Sequence, residues 1–223
     1  MRVVSGAAGR ERIHFEAPAR DILNHEVSRF IDWFNDAPKG LDGLLRAGLA
    51  HLWFVTLHPF EDGNGRLACA LTDMAICQDE QRPVRLFSLS AQIMRERNAY
   101  YDILEQTQRG GLDVTAWLAW FLEQVNAACE SAETTVGKVL GKAKFWLRHQ
   151  NIALNERQRK VLNRLLDVGV DGFERGMNTR KYVSLTRISR ATAYRELADL
   201  VEKGCLSQSG AGRSVSYVIQ PDG

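Results

Sequence analysis

Between Pro18 and Pro38 the apolar residues Ile22, Val27, Phe30, Ile31 and Phe34 recur at three- and four-residue intervals. That is the stripe of an amphipathic helix, and it must end before Pro38-Lys39-Gly40. Leu44 to Leu57 is apolar nearly all round, as in a helix buried on every face. It stops at His58-Pro59, because the residue before a proline is pushed out of the helical region. Arg66 to Cys77 is another apolar helical run, entered through a loop rich in Gly and Asn and broken near Arg82-Pro83. Ser90 can cap a helix running to Gln108, with Gly110-Gly111 after it. Asp113 can cap a long helix through Trp117, Trp120, Phe121 and Val125 that reaches His149, with Gly137 and Gly141 as its weak points. The chain opens differently: Arg2-Val3-Val4-Ser5 and Glu11-Arg12-Ile13-His14-Phe15 predict a hairpin around the turn at 6–9.

The pattern changes after Leu154. Asn155-Glu156-Arg157-Gln158 has the form of a helix N-terminus, and Val161, Leu162, Leu165 and Leu166 give the buried stripe. Thr179 to Leu185 predicts a short helix, and Ser189 an N-cap for a helix carrying Ala193, Leu197, Leu200 and Val201 up to Gly204, which is helix-turn-helix spacing. Cys205–Gln208 and Val215–Ile219 alternate like two strands around the turn at 209–213. The expected class is mainly α, in three parts: a helical core with its hairpin at 2–15 over 1–127, a connecting helix over 128–153, and a smaller domain over 154–223.

Composition narrows the function classes. At 45% hydrophobic residues the chain is an ordinary folding one, and no apolar run approaches the roughly 20 residues of a membrane span. A cytoplasmic protein is expected. The four cysteines, Cys69, Cys77, Cys129 and Cys205, form no C-x-x-C pair and have no histidine spaced to complete a zinc site, so they read as reduced, mostly buried thiols. Net charge is +2, but residues 151–223 hold 12 basic against 8 acidic side chains. That excess permits nucleic-acid contact by this part without requiring it.

Candidate chemistry concentrates in residues 58–66, His-Pro-Phe-Glu-Asp-Gly-Asn-Gly-Arg. A histidine at a helix end is followed by carboxylates, then by glycines that let backbone N–H groups turn toward one point, then by a new helix whose positive dipole end adds to them. Arg66 in the first turn suits phosphate oxygens, Asp62 suits Mg²⁺ held against the same oxygens, and His58 suits a general base for an attacking hydroxyl.

These nine residues resemble the signature of the Fic family, whose members transfer AMP from ATP to a hydroxyl of a target protein. The resemblance implies a Fic-type helical bundle with a β-hairpin flap. It also implies His58 as base, Asp62 as Mg²⁺ ligand, Gly63, Asn64, Gly65 and Arg66 as phosphate cradle, and Phe60 as a packing residue. The hairpin is similar to the flap that binds the target by strand addition, with Ile13 and His14 lining that groove. Asn98-Ala99-Tyr100-Tyr101 resembles the segment beside the adenosine pocket, which would give Tyr101 a nucleotide contact; a Tyr pair on a helix also serves plain packing.

Two features depart from the family pattern. Where a second phosphate arginine is usual, three residues after the first, this chain has Cys69, a thiol that cannot replace a guanidinium. It reads as a small apolar residue rather than a nucleophile, and activity is expected to be reduced. The family's inhibitory helix, Ser/Thr-x-x-x-Glu-Gly/Asn, has no match, since no Glu here is followed by Gly or Asn. The expectation is a chain without the N-terminal inhibitory region.

Residues 179–219 are similar to the winged-helix appendage of some bacterial Fic proteins. As a DNA reader it would use Arg190, Thr192, Tyr194 and Arg195 in the major groove and Arg213 on phosphate. The alternative is a homodimerisation or target-docking module. For the whole chain, the alternative to an AMP transferase is a weakened Fic core acting as nucleotide sensor or scaffold in a DNA- or protein-binding regulator.

Overall fold

A computed structural model describes residues 2–5, 12–36, 40–81, 85–168, 176–210 and 214–220, the segments 2–5 and 12–14 by their backbone alone. Two strands open the chain, β1 (Arg2–Ser5) and β2 (Arg12–Glu16), followed by α1 (Arg20–Asn35), α2 (Gly43–Leu57) and α3 (Asn64–Glu80). Then come α4 (Leu89–Arg95), α5 (Arg97–Arg109), α6 (Thr115–Arg148), α7 (Glu156–Val168), α8 (Thr179–Thr186), α9 (Arg190–Glu202), β3 (Leu206–Ser209) and β4 (Ser216–Ile219). The chain divides into two compact units, Met1–Ala132 and Glu133–Gly223. Among the described residues no helix is long and apolar enough to cross a membrane.

In the first unit β1 and β2 pair antiparallel, with a register shift between Val3 and Val4. Val3 faces Phe15 and Val4 faces Ile13, so His14 is the extra residue of a bulge. The core is built on α2, whose Ala47, Ala50, Phe54 and Leu57 meet Phe30 and Phe34 of α1, Ala68, Ala75 and Ile76 of α3, and Trp117 and Phe121 of α6. Small residues on α2 let the helices approach closely: a Cβ at Gly48 would stand 2.9 Å from the Phe121 ring. Asp42 caps α2 by accepting from the N–H groups of Leu44 and Leu45.

Two expectations change here. Ser88 rather than Ser90 caps the first helix after residue 85, accepting from the Ala91 N–H. That helix is also not continuous to Gln108, because the backbone at Glu96 (φ −99°, ψ 31°) separates α4 from α5. In contrast, α6 passes Gly137 and Gly141 without a break, its start held by the Asp113 carboxylate on the Thr115 N–H.

In the second unit Val161, Leu162 and Leu165 of α7 pack with Tyr182 of α8, Leu197 and Leu200 of α9, and Leu206 and Tyr217 of the β3–β4 hairpin. Asn155 and Gln158 cap α7 reciprocally: each side-chain oxygen accepts the other's backbone N–H, at 2.9 and 3.0 Å. Ser189 caps α9 as expected, accepting from the Thr192 N–H. Of the four cysteines only Cys205 is fully buried; Cys69, Cys77 and Cys129 are partly exposed, and all four are free thiols.

Candidate active site

The site begins where α2 ends. His58 takes a left-handed conformation (φ 46°, ψ 56°) and its N–H still reaches the Phe54 carbonyl at 3.1 Å. A non-glycine residue in this region immediately before a proline is strained, which the surrounding packing must hold. The half-buried ring has its pKa lowered from 6.5 by loss of solvation, against a smaller opposing effect of its hydrogen bond to the Val55 backbone. His58 is therefore a neutral imidazole at neutral pH, the form that accepts a proton.

Gly63 turns the loop with φ 87°, and α3 starts at Asn64, two residues earlier than the apolar pattern indicated. Asn64 is buried, and its carboxamide is spent on Phe60: Oδ1 accepts from the Phe60 N–H at 3.1 Å, and Nδ2 donates to the Phe60 carbonyl at 2.6 Å. What Asn64 can offer a phosphate is its backbone N–H. The Phe60 ring is half exposed, 6.4 Å from that of Phe54. Asp62 and Arg66 are exposed and bonded to each other at 3.1 Å across one helical turn, and the Asp62 carboxylate also accepts the Gly63 N–H at 2.7 Å.

His58, Asp62, Gly63, Asn64 and Arg66 form one side of a cavity of about 940 Å³. Along α3 its wall continues through Cys69, Ala70 and Asp73; the facing wall is Ser90, Ile93 and Met94 of α4 with Arg97, Tyr101, Leu104 and Gln108 of α5. Phe15 of β2 closes the apolar part. Tyr101 is half exposed there, with the Arg97 guanidinium 5.6 Å from its ring centroid. The Cys69 thiol is pushed up to about 11 by burial and by the nearby Asp73 carboxylate, so it is a protonated wall residue and not a nucleophile at neutral pH.

Behind the wall lies a buried chain of polar groups. His51 is fully buried, with Nδ1 3.0 Å from Thr72 Oγ1 and Nε2 3.0 Å from Tyr100 Oη. Thr72 donates its own hydroxyl proton to the Ala68 carbonyl at 2.8 Å, so it accepts from His51 Nδ1–H, and Tyr100 donates to Nε2. This pins α5 to α2 and α3 beneath the cavity floor.

The structure thus brings His58, Asp62, Gly63, Gly65, Arg66 and Tyr101 to one cavity. Ile13 and His14 lie on β2 next to Phe15, with side chains outside the described residues. Arg190, Tyr194 and Arg195 are exposed on α9 in the second unit; Thr192 is half-buried and bonded to Ser189 Oγ at 2.9 Å; Arg213 lies outside the described residues. Sequence reasoning passed over Arg97, Asp73 and Gln108. The signal was there in the spacing 90, 93, 94, 97, 101, 104, 108, one face of a helical course, but it has no meaning until α3 is known to face it.

Could Mg²⁺ fit? Among the described residues no three His, Cys, Asp or Glu side chains cluster as a metal cage. One exposed carboxylate beside a phosphate cradle is instead what Mg²⁺ uses when it arrives on a nucleotide and keeps most of its waters. The Asp62 side chain, 92% exposed, fits that role.

Residues 4–76 match the model of the Fic/DOC family, about a third of the chain, from within β1 into α3. Protein adenylyltransferase fic-1 of Caenorhabditis briggsae is 31% identical over 99 residues, 44% of this chain and 18% of that protein. Protein adenylyltransferase Fic of Nematostella vectensis is 31% identical over 96 residues, 43% of this chain and 21% of that one. The chain therefore spans about a fifth of the length of these relatives. A crystal structure of a Fic family protein from Desulfovibrio desulfuricans G20 superposes with a TM-score of 0.47 at 18% identity, over 97% of this chain and 60% of that one.

Proposed function

We propose that the first unit is a Fic-type nucleotidyltransferase that moves AMP from ATP to a side-chain hydroxyl of a target protein. The observation that carries the reading is a single cavity shared by a neutral, half-buried His58 and the N-terminus of α3 with Arg66. The matches to protein adenylyltransferases support it over the segment they cover.

In this reading the base lies against Phe15, Leu104 and Tyr101, and the phosphates approach the N–H groups of the first turn of α3. Asp62 is the residue that would hold Mg²⁺, which when bound offsets the charge of the phosphates. The target segment adds to the β1–β2 hairpin, with Ile13 and His14 in that groove, and presents its hydroxyl to His58. His58 takes the hydroxyl proton as the oxygen attacks the α-phosphorus; the bond from that phosphorus to the bridging oxygen breaks, and pyrophosphate leaves. Reduced thiols throughout suit a cytoplasmic setting.

The test distinguishes nucleotidyl from phosphoryl transfer. Incubation with a candidate target, Mg²⁺ and ATP labelled on either the α- or the γ-phosphorus should give label on protein from the α-labelled nucleotide alone. Label from the γ-labelled nucleotide would replace AMP transfer by kinase-like chemistry, and label from neither would favour the regulator.

A second reading concerns residues 154–223 as a winged-helix DNA reader, and a specific observation favours it. Two of the three acids on α9 are occupied by partners within the unit, and the third, Glu202, is exposed at the far end of the helix from Arg190. Glu196 is buried and accepts from Tyr182 Oη at 2.6 Å, Asn155 Nδ2 at 3.0 Å and the Arg157 guanidinium. Asp199 accepts from Lys203 and Gln158, both at 2.6 Å. The N-terminal half of α9 then exposes Arg190, Tyr194 and Arg195. Fluorescence anisotropy with duplex DNA should show salt-sensitive binding that Arg190→Ala with Arg195→Ala weakens by about tenfold or more, with a shallower salt dependence. Binding unaffected by both changes would leave this unit a dimerisation or docking module.

A further inference from the structure

The charges lining the cavity do not balance in the way a nucleotide polyphosphate requires. Its carboxylates are Glu61, Asp62 and Asp73; its cations are Arg66 and Arg97. Arg66 is engaged with Asp62. Asp73 is held by Arg85, whose side chain is 7% exposed and does not line the cavity, so that guanidinium is committed behind the wall. Beyond Arg66 the α3 wall offers a thiol at Cys69, a methyl at Ala70 and then the Asp73 carboxylate. A chain of phosphates running along this wall would leave its one cation and approach an acid.

The opposite wall differs. Arg97, the first residue of α5, lines the same cavity, is exposed, and makes no ion pair among the described residues. Its guanidinium is placed over the Tyr101 ring at 5.6 Å, an arrangement that limits its freedom without using its N–H donors. Along α5, Arg97 lies seven residues before Leu104, about 10 Å at the helical rise. The apolar Leu104 therefore lies about two turns along α5 from the unspent cation, and a nucleotide likewise separates an apolar base from its terminal phosphates.

Resting on the nucleotide reading of this site, we propose that Arg97 is a phosphate-binding residue, supplying from the α5 wall the second positive charge that α3 lacks at Cys69. The terminal phosphates then lie across the cavity between Arg66 and Arg97. Tyr101 acts as the platform that holds the guanidinium there.

The experiment is equilibrium binding of ATP, ADP and AMP, at fixed Mg²⁺ and salt, to the full chain and to Arg97→Ala, Arg97→Lys and the double variant Arg97→Ala with Cys69→Arg. Arg97→Ala should weaken ATP by about 10- to 100-fold, the scale of one lost hydrogen-bonded charge contact, and change AMP less than about threefold. Arg97→Lys should recover part of the loss. The double variant, with a guanidinium returned to the α3 wall, should recover most of it. Because Arg97 is exposed, its variants should melt as the unmodified chain does. If ATP and AMP weaken alike, or neither changes, Arg97 is not a phosphate ligand, although the site still binds nucleotide. If the unmodified chain binds none of the three, the nucleotide reading fails and the assignment goes with it.

Discussion

Replacing His58 with alanine should lower AMP transfer by on the order of 10²- to 10⁴-fold, the usual worth of a positioned general base, while ATP affinity changes little. The expectation follows from where the ring stands. It lines the cavity at the end of α2, outside the glycine turn and the first turn of α3, which the proposed function assigns to the phosphates. Alanine would occupy a left-handed position that asparagine tolerates better, so His58→Asn is the companion variant. Both should bind ATP and both should be inactive; a His58→Asn protein that still transfers label would put the base elsewhere. The pH profile gives a further check. With the pKa of His58 lowered from 6.5, the proton-accepting form is present at neutral pH and is lost only as pH falls through that lowered value. The acid limb of kcat/KM assigned to His58 should therefore lie below 6.5, and one at or above 7 would contradict it.

How much of this could be read in the sequence depends on the range of the interactions. The apolar run from Leu44 to Leu57 and the loop after it are local, and both appear where the pattern put them. The start of α3 moved to Asn64 because its carboxamide, bonded both ways to Phe60, already closes the turn. The break at Glu96 had no glycine or proline to announce it, since Glu96 ends α4 and precedes α5 with a modest backbone change. In the sequence Glu196 and Asp199 only dilute the positive charge of α9. Among their partners, Arg157 for Glu196 and Gln158 for Asp199 lie some 40 residues earlier, beyond the reach of any periodicity argument. Arg97 was invisible for the same reason: its significance comes from facing Cys69 across a cavity.

His51 shows the same limit and carries the second large effect, a loss of stability in the first unit under mild acid. Its place in the apolar run of α2 does not reveal its partners, Thr72 and Tyr100, which stand 21 and 49 residues away. The ring is fully buried between the two hydroxyls and near the Trp117 ring at 5.4 Å, with no acid among its bonded partners. Burial lowers its pKa from 6.5 to about 3. Between those values the unfolded chain binds a proton that the folded chain refuses, so the neutral histidine's contribution is complete above 6.5 and declines as pH falls. At about 1.4 kcal/mol per pH unit, the first unit should lose about 2 kcal/mol between pH 7 and pH 5 from this residue, and about 5 kcal/mol over the whole window. The measurement is urea unfolding at several pH values, read through exchange protection of peptides from α2 and α3. His51→Gln should be less stable at pH 7 and show a shallower decline toward pH 5. Parallel declines in the two proteins would mean that the acid sensitivity belongs to other groups. The chain Ala68–Thr72–His51–Tyr100 would then be a packing element with no titration of its own in this range.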